Sequence, residues 1–500
     1  MSAACSPPRP TEPYRGLWTA FARSVRDNVM GEFAVQVIRI GGIVILARRL
    51  HPEDFGLLKV LLVVSVFATL FCEAGIPEAL VQRKELRDDH ESTAWWMSLG
   101  LGMLSAACLY VAAPPLAAAM EMPRLEFGAR LMCVPVLLDG LAATANARLR
   151  RQLRFGALAV AETLGEAAFV AVALLVLRAG MPEWSLAGAL AARIGVRALA
   201  TCAAGRHLPV GLPRIAAARD LGRFALSVTG AEATIAVSAN ADYLLVGRLL
   251  GDRALGLYSV AWDLLRFVPY RLHRVAVRVT LPAFCRLQDD DRELARAYRG
   301  LFNYLARIVL PIIACVAVAA PELLHTLYGA QWAAAATPLR LMAAGLAVAG
   351  LREGIGSIYY AKDHPAFDIY LNALRFILIV AAVLSLAGGG LFAISAGMSV
   401  VEGLTSVIGV RLACELLNLN LRGLIAAAVP GLRLAVACAI VSALGKAGAR
   451  AANLDTPAVA AIAAFLPAIV FCWVESAAMS EILARAFGRT RLATLQGATR

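Results

Sequence analysis

Apolar residues run along this chain in blocks of about twenty, joined by connections of about 5 to 25 residues. A block of eighteen or more apolar residues is long enough to cross the roughly 30 Å hydrocarbon layer of a bilayer as a helix. Fourteen blocks qualify, centred near 30–48, 56–77, 93–113, 128–147, 157–178, 184–204, 224–248, 255–280, 301–320, 334–358, 367–387, 391–412, 424–445 and 456–475. The pattern predicts an all-α membrane protein. Two blocks are irregular: the first carries Glu32, Gln36 and Arg39, and the eighth is crowded with arginine.

Shifting the chain by 200 residues lays LARRLHPEDFGLLKV (46–60) over LVGRLLGDRALGLYSV (245–260). Arg48 then meets Arg248, Leu50 meets Leu250, Gly56 meets Gly256, Leu57 meets Leu257 and Val60 meets Val260. In both halves a proline follows at the end of the next helix, in GIPEALVQRKELRDD (75–89) and TLPAFCRLQDDDREL (280–294). Six helices separate the copies, so both keep one orientation and form a parallel repeat. The expected organisation is a tail at 1–27, a six-helix bundle at 28–204 and a basic linker at 205–223. A second six-helix bundle follows at 224–412, then a helix pair at 424–475 and a tail at 476–500.

Composition narrows the class. With 60% hydrophobic residues, 17% charged residues and a mean hydropathy of +0.70, the chain cannot be a soluble multidomain protein or carry a large extramembrane enzyme domain. The net charge of +13 would point to nucleic acid in a soluble protein, but here the cations sit mostly between apolar blocks and report topology. Of 48 Lys and Arg, 26 fall in loops on the side of the termini and 11 on the other, which places both termini in the cytoplasm. The first 29 residues have no apolar core or cleavage site of a signal peptide. Cysteines 72, 108, 133, 202, 315, 414, 438 and 472 lie in or beside apolar blocks without metal-ligand spacing, and read as small core residues.

The remaining cations lie inside the blocks, where a charge costs roughly 2.5–3.5 kcal/mol and must face protein or water. Glu162 with Glu166, and Arg193 with Arg197, are four residues apart, so helices 5 and 6 could clasp through carboxylate and guanidinium. In helix 8, Arg266, Arg274 and Arg278 share a face, with Arg271 to one side and Pro269 allowing a kink. That face must line a hydrated path, or else 271–278 is a cytoplasmic extension; Arg266, preceded by mostly apolar residues, fits the extension poorly. With Arg39, Arg271, Arg274, Arg307, Arg352 and Arg375 it can form a cationic cavity, since guanidinium gives permanently charged, bidentate bonds to phosphate. Asp139, Asp242, Asp263 and Glu402 are candidates for a proton or sodium site. Trp262, Tyr270, Tyr304, Tyr359, Tyr360 and Tyr370 could face sugar rings or form an interfacial belt.

LARRLHPEDFGLL, GIPEALVQRKEL, NADYLLVGRLLGDRALGLYSVAWDLLRFVP, and LPAFCRLQDD followed by PELLHTLYGAQW together resemble the polysaccharide flippase family, in its Wzx-like, colanic-acid-type branch. That family belongs to the multidrug/oligosaccharidyl-lipid/polysaccharide exporter superfamily, and the likeness covers most of 25–445. The resemblance implies a two-lobed, fourteen-helix exporter of the bacterial inner membrane. It would move undecaprenyl-pyrophosphate-linked oligosaccharide to the periplasmic leaflet by alternating access, with cavity arginines on the pyrophosphate. Its implied partners are the lipid-linked substrate, the bilayer, a coupling ion and polysaccharide polymerase or export proteins, with no cofactor, metal or nucleic acid. The departure is in lysine, present only at 59, 84, 362 and 446, so that arginine carries nearly all the positive charge.

Two competing functions are weighed. A drug or cation antiporter of the same superfamily would need an acidic cavity. A membrane glycosyltransferase or O-antigen polymerase would need sizeable extramembrane loops, and Asp289, Asp290 and Asp291 read as a helix start rather than a nucleotide-sugar motif. The sequence is therefore expected to encode a transporter and not an enzyme.

Overall fold

The computed structural model describes residues 32, 34–83, 86–205 and 211–451, with backbone alone at 268–279, 281, 282 and 450. Among the described residues there is no strand, and nine helical stretches are long and apolar enough to cross a membrane. The chain is a multi-pass, all-α membrane protein, as its hydrophobic pattern predicts. The fourteenth block, 456–475, and both expected tails lie outside the described residues. The chain divides into two units, Met1–Asn240 and Ala241–Arg500.

The first unit holds α1 (Ala34–Ala47), α2 (Pro52–Glu73), α3 (Ile76–Gln82), α4 (Asp88–Met120), α5 (Pro123–Leu131), α6 (Cys133–Arg151), α7 (Phe155–Arg178), α8 (Pro182–Gly205) and the start of α9 (Ile215–Arg286). Local chemistry sets the boundaries. Pro52 occupies the first turn of α2, where its missing N–H costs nothing, and the carboxylate of Asp54 accepts the His51 N–H at 3.0 Å. Gly75, at φ 65°, opens α3, and a Cβ there would lie 2.5 Å from the Ala225 carbonyl oxygen. The start of α3 can therefore press onto α9, where Ile76, Ala79, Leu80, Ala94, Ala147, Leu221 and Ala225 form one apolar cluster. The basic segment expected as a linker is thus helical from Ile215 onward, because its Leu221 and Ala225 have this apolar surface to bury.

Blocks seven and eight are two helices, as expected, together labelled α9, that meet with no loop between them at Gly251. Its φ of 82° and ψ of 177° belong to a region that only glycine occupies freely. The second unit continues with α10 (Asp291–Val318), α11 (Ala320–Leu327), α12 (Ala336–Leu351), α13 (Gly356–Ala361), α14 (Ala366–Leu386), α15 (Gly390–Leu416) and α16 (Leu421–Ala451). The acidic run at 289–291 is a helix start: the side chain of Asp290 accepts from the backbone N–H groups of Arg292 and Glu293, each at 3.0 Å. The tenth block is broken in two, since a turn containing Gly354 at φ 84° separates α12 from α13.

Within this unit α12 and α15 meet backbone to backbone. The Gly345 N–H donates to Ser399 Oγ at 2.8 Å, and a Cβ on Gly345 would fall 2.6 Å from the Ser399 Cα. With no hydrophobic drive between helices in lipid, such small-residue approach is a main source of helix association. Gly345→Val is expected to cost about 1–3 kcal/mol by overpacking and to lower the thermal midpoint of the detergent-solubilised protein. An unchanged midpoint would show that the contact is not tight.

Candidate functional site

In the first unit the intramembrane charges gather into one network. Glu166 on α7 is 2% exposed, and its Oε1 takes the Nε of Arg39 from α1 at 3.0 Å and lies 3.0 Å from the Nε of Arg193 on α8. Arg197, one turn further along α8, places its Nη2 2.7 Å from Asp139 Oδ1 and its Nη1 3.6 Å from Glu162 Oε1. The other oxygen of Asp139 accepts from Thr69 Oγ1 at 3.1 Å. The clasp that the four-residue spacings anticipate between helices 5 and 6 is formed, and it extends to α1, α2 and α6. Gly165 permits it, because a Cβ there would lie 2.9 Å from the Arg193 carbonyl oxygen.

Thr69 gives no signal in the sequence, since a single hydroxyl in an apolar helix usually bonds its own backbone. Glu73, within electrostatic range of Asp139 and Arg197, carries the same signal as the acids singled out, a carboxyl inside an apolar block.

The second unit is built differently. Arg375 on α14 and Glu402 on α15 are buried together, their side chains 11% and 4% exposed, with Nε at 2.9 Å and Nη2 at 2.6 Å from one carboxylate oxygen. A residue read as a phosphate ligand and one read as an ion site are therefore partners. Asp242, 1% exposed, accepts from the Tyr258 hydroxyl at 2.9 Å, and exposed Asp263 accepts from Tyr243 at 3.2 Å. Of the acidic candidates, Asp139 and Glu402 are engaged by guanidinium and Asp242 and Asp263 by phenol.

The arginine candidates sort in the same way. Arg39 and Arg375 lie on carboxylates, and Arg307 donates to Asn303 Oδ1 at 2.8 Å. Arg271 and Arg274 lie outside the described side chains. Arg266 and Arg352 are half-buried, and among the described residues neither forms an ion pair or donates a side-chain hydrogen bond, although both lie within electrostatic range of Glu402, whose carboxylate Arg375 holds. Arg266 lies over the indole of Trp262 at 5.8 Å, and Arg352 closes α12 at the break before Gly354. A half-buried guanidinium without a carboxylate keeps both its charge and its donors for an anion.

Trp262 and Tyr359 are fully buried, and the Tyr359 hydroxyl donates to the Gly409 carbonyl at 2.8 Å, which withdraws both from contact with sugars. Tyr360 and Tyr370 are exposed, Tyr304 is half-buried, and the side chain of Tyr270 lies outside the description.

The profile of a family described as polysaccharide biosynthesis protein matches residues 45–337. Over 335 residues the chain is 28% identical to the succinoglycan biosynthesis transport protein ExoT of Rhizobium meliloti, covering 65% of this chain and 67% of that one. It is 24% identical to the lipopolysaccharide biosynthesis protein WzxC of Escherichia coli, covering 78% of each. Its fold matches that of the lipid II flippase MurJ in an inward closed conformation, with a TM-score of 0.65 at 13% identity over 92% of this chain and 99% of that one. An inward-facing multidrug resistance MATE transporter follows at TM-score 0.64 and 14% identity, over 77% and 94% of the two chains.

Proposed function

Because the chain belongs to the polysaccharide biosynthesis protein family, we propose that it is a flippase for polyprenyl-pyrophosphate-linked oligosaccharide in a bacterial inner membrane. It carries the glycan head from the cytoplasmic to the periplasmic leaflet by alternating access, for capsule, exopolysaccharide or O-antigen assembly, and both termini face the cytoplasm. The observation that carries this reading is Arg266 and Arg352, two half-buried guanidiniums that form no ion pair among the described residues, where Arg39, Arg193, Arg197 and Arg375 do. Guanidinium binds phosphate oxygens in bidentate fashion and holds its charge at any working pH, so a pyrophosphate head is its natural ligand. The protein moves its substrate without a chemical step.

Asp139, Asp242, Asp263 and Glu402 are the candidates for a coupling ion, proton or sodium. The test is a flipping assay in proteoliposomes with a fluorescent polyprenyl-pyrophosphate glycan and a membrane-impermeant lectin. Protein-dependent exposure of the glycan in the outer leaflet is expected. Covalent extension of the glycan without exposure would favour the polymerase instead.

A further inference from the structure

The buried ion pairs of the two units occupy equivalent places with opposite polarity. In the first unit the carboxylate is on the first helix of the hairpin and the guanidinium on the second, Glu166 on α7 with Arg193 on α8. In the second unit the order is reversed, with Arg375 on α14 and Glu402 on α15. Each pair spans the same 27 residues of chain. An independent marker fixes the register: Ala187-Gly188 and Ala396-Gly397 stand at the same distance before Arg193 and Glu402. Both glycines face the preceding helix of their own hairpin, Gly188 against Val172 and Val176 and Gly397 against Ala382 and Leu386. The two hairpins are therefore alike to within one residue of register and differ in which helix of the clamp is acidic.

We propose that this exchange of polarity is what prevents the hairpins of the two units from pairing with each other while the chain assembles in the membrane. Helices of similar length and composition have little in lipid to tell them apart, because apolar surface is satisfied by the acyl chains. Repeated units are also prone to exchange like segments. Pairing α7 with α15 would face Glu166 with Glu402, and pairing α8 with α14 would face Arg193 with Arg375. Either error sets like charges against each other inside the membrane, whereas each correct hairpin sets opposite ones together. Discrimination arises from the wrong pairing as much as from the right one. The inference concerns assembly and stands whatever the substrate.

Reversing one pair in the full-length protein removes the distinction and leaves one carboxylate and one guanidinium on each hairpin, although reversal at Glu166 also withdraws the carboxylate that Arg39 meets. R375E/E402R gives both hairpins the polarity of the first unit, and E166R/R193E gives both that of the second. Each double variant is expected to yield at least threefold less monodisperse protein from membranes than the wild type. The quadruple variant E166R/R193E/R375E/E402R restores opposite polarity and should return to within twofold of wild type. Wild-type yield from either double variant, or a quadruple variant no better than the doubles, would overturn the proposal.

Discussion

Arg266→Ala is expected to slow transbilayer movement of a polyprenyl-pyrophosphate glycan roughly tenfold to a hundredfold, which is what losing one charged hydrogen bond of about 1.5–3 kcal/mol amounts to. The guanidinium makes no ion pair among the described residues, so its removal takes from the fold the contact with Trp262 and a longer-range attraction to Glu402. A cation over an indole contributes about 0.5–1 kcal/mol at a partly hydrated site. Membrane abundance and the detergent melting midpoint should therefore stay close to wild type while flipping falls. Arg266→Lys keeps the charge but loses the planar fork, and should recover part of the rate. Flipping within twofold of wild type in Arg266→Ala would remove this residue from the substrate path.

Glu402→Leu is expected to be the most damaging single substitution for stability in the second unit. It leaves the guanidinium of Arg375, 11% exposed, without its counter-ion, and breaking a buried pair from one side costs about 3–5 kcal/mol. Arg375→Leu strands the 4% exposed carboxylate in the same way. The double variant Arg375→Leu/Glu402→Leu removes both charges together and should lie near wild type or above it, since a buried pair replaced by packed apolar side chains is often neutral or stabilising. Thermal unfolding of the three proteins in one detergent checks this. If the single variants melt no lower than the double, the two side chains do not depend on each other for their charge.

The membrane-spanning character, the all-α class and the clasp of helices 5 and 6 could be read from the chain because each rests on local spacing, either an uninterrupted apolar block or charges four residues apart. What escaped depends on geometry that spacing does not encode. Arg375 and Glu402 are 27 residues apart on successive helices, and only the register of α14 against α15 makes them partners rather than a ligand and an ion site. Asp139 and Arg197 meet across 58 residues, again through packing. The break at Gly251 falls in the connection expected between blocks seven and eight, whereas the one at Gly354 lies inside the expected tenth block, because a positive φ is imposed by the chain on either side and leaves no mark in an apolar pattern. For the proposed substrate site, the sequence named Arg266 and Arg352 together with arginines that the fold spends on carboxylates or an asparagine. Separating the two groups required knowing which acids lie within reach.

The backbone contact between Gly345 and Ser399 also constrains how the protein can move. Helices joined by side chains can slide as rotamers adjust, but two backbones in contact have no such slack. As a mechanism of levers, α12 and α15 then count as one bar. Glu402 lies one turn beyond Ser399, and Arg352 two turns beyond Gly345, so their spacing along that bar is set by the weld and not by any side-chain choice. The joints of the second unit must lie where the helices are broken, and Gly354, immediately past Arg352, is the nearest of them.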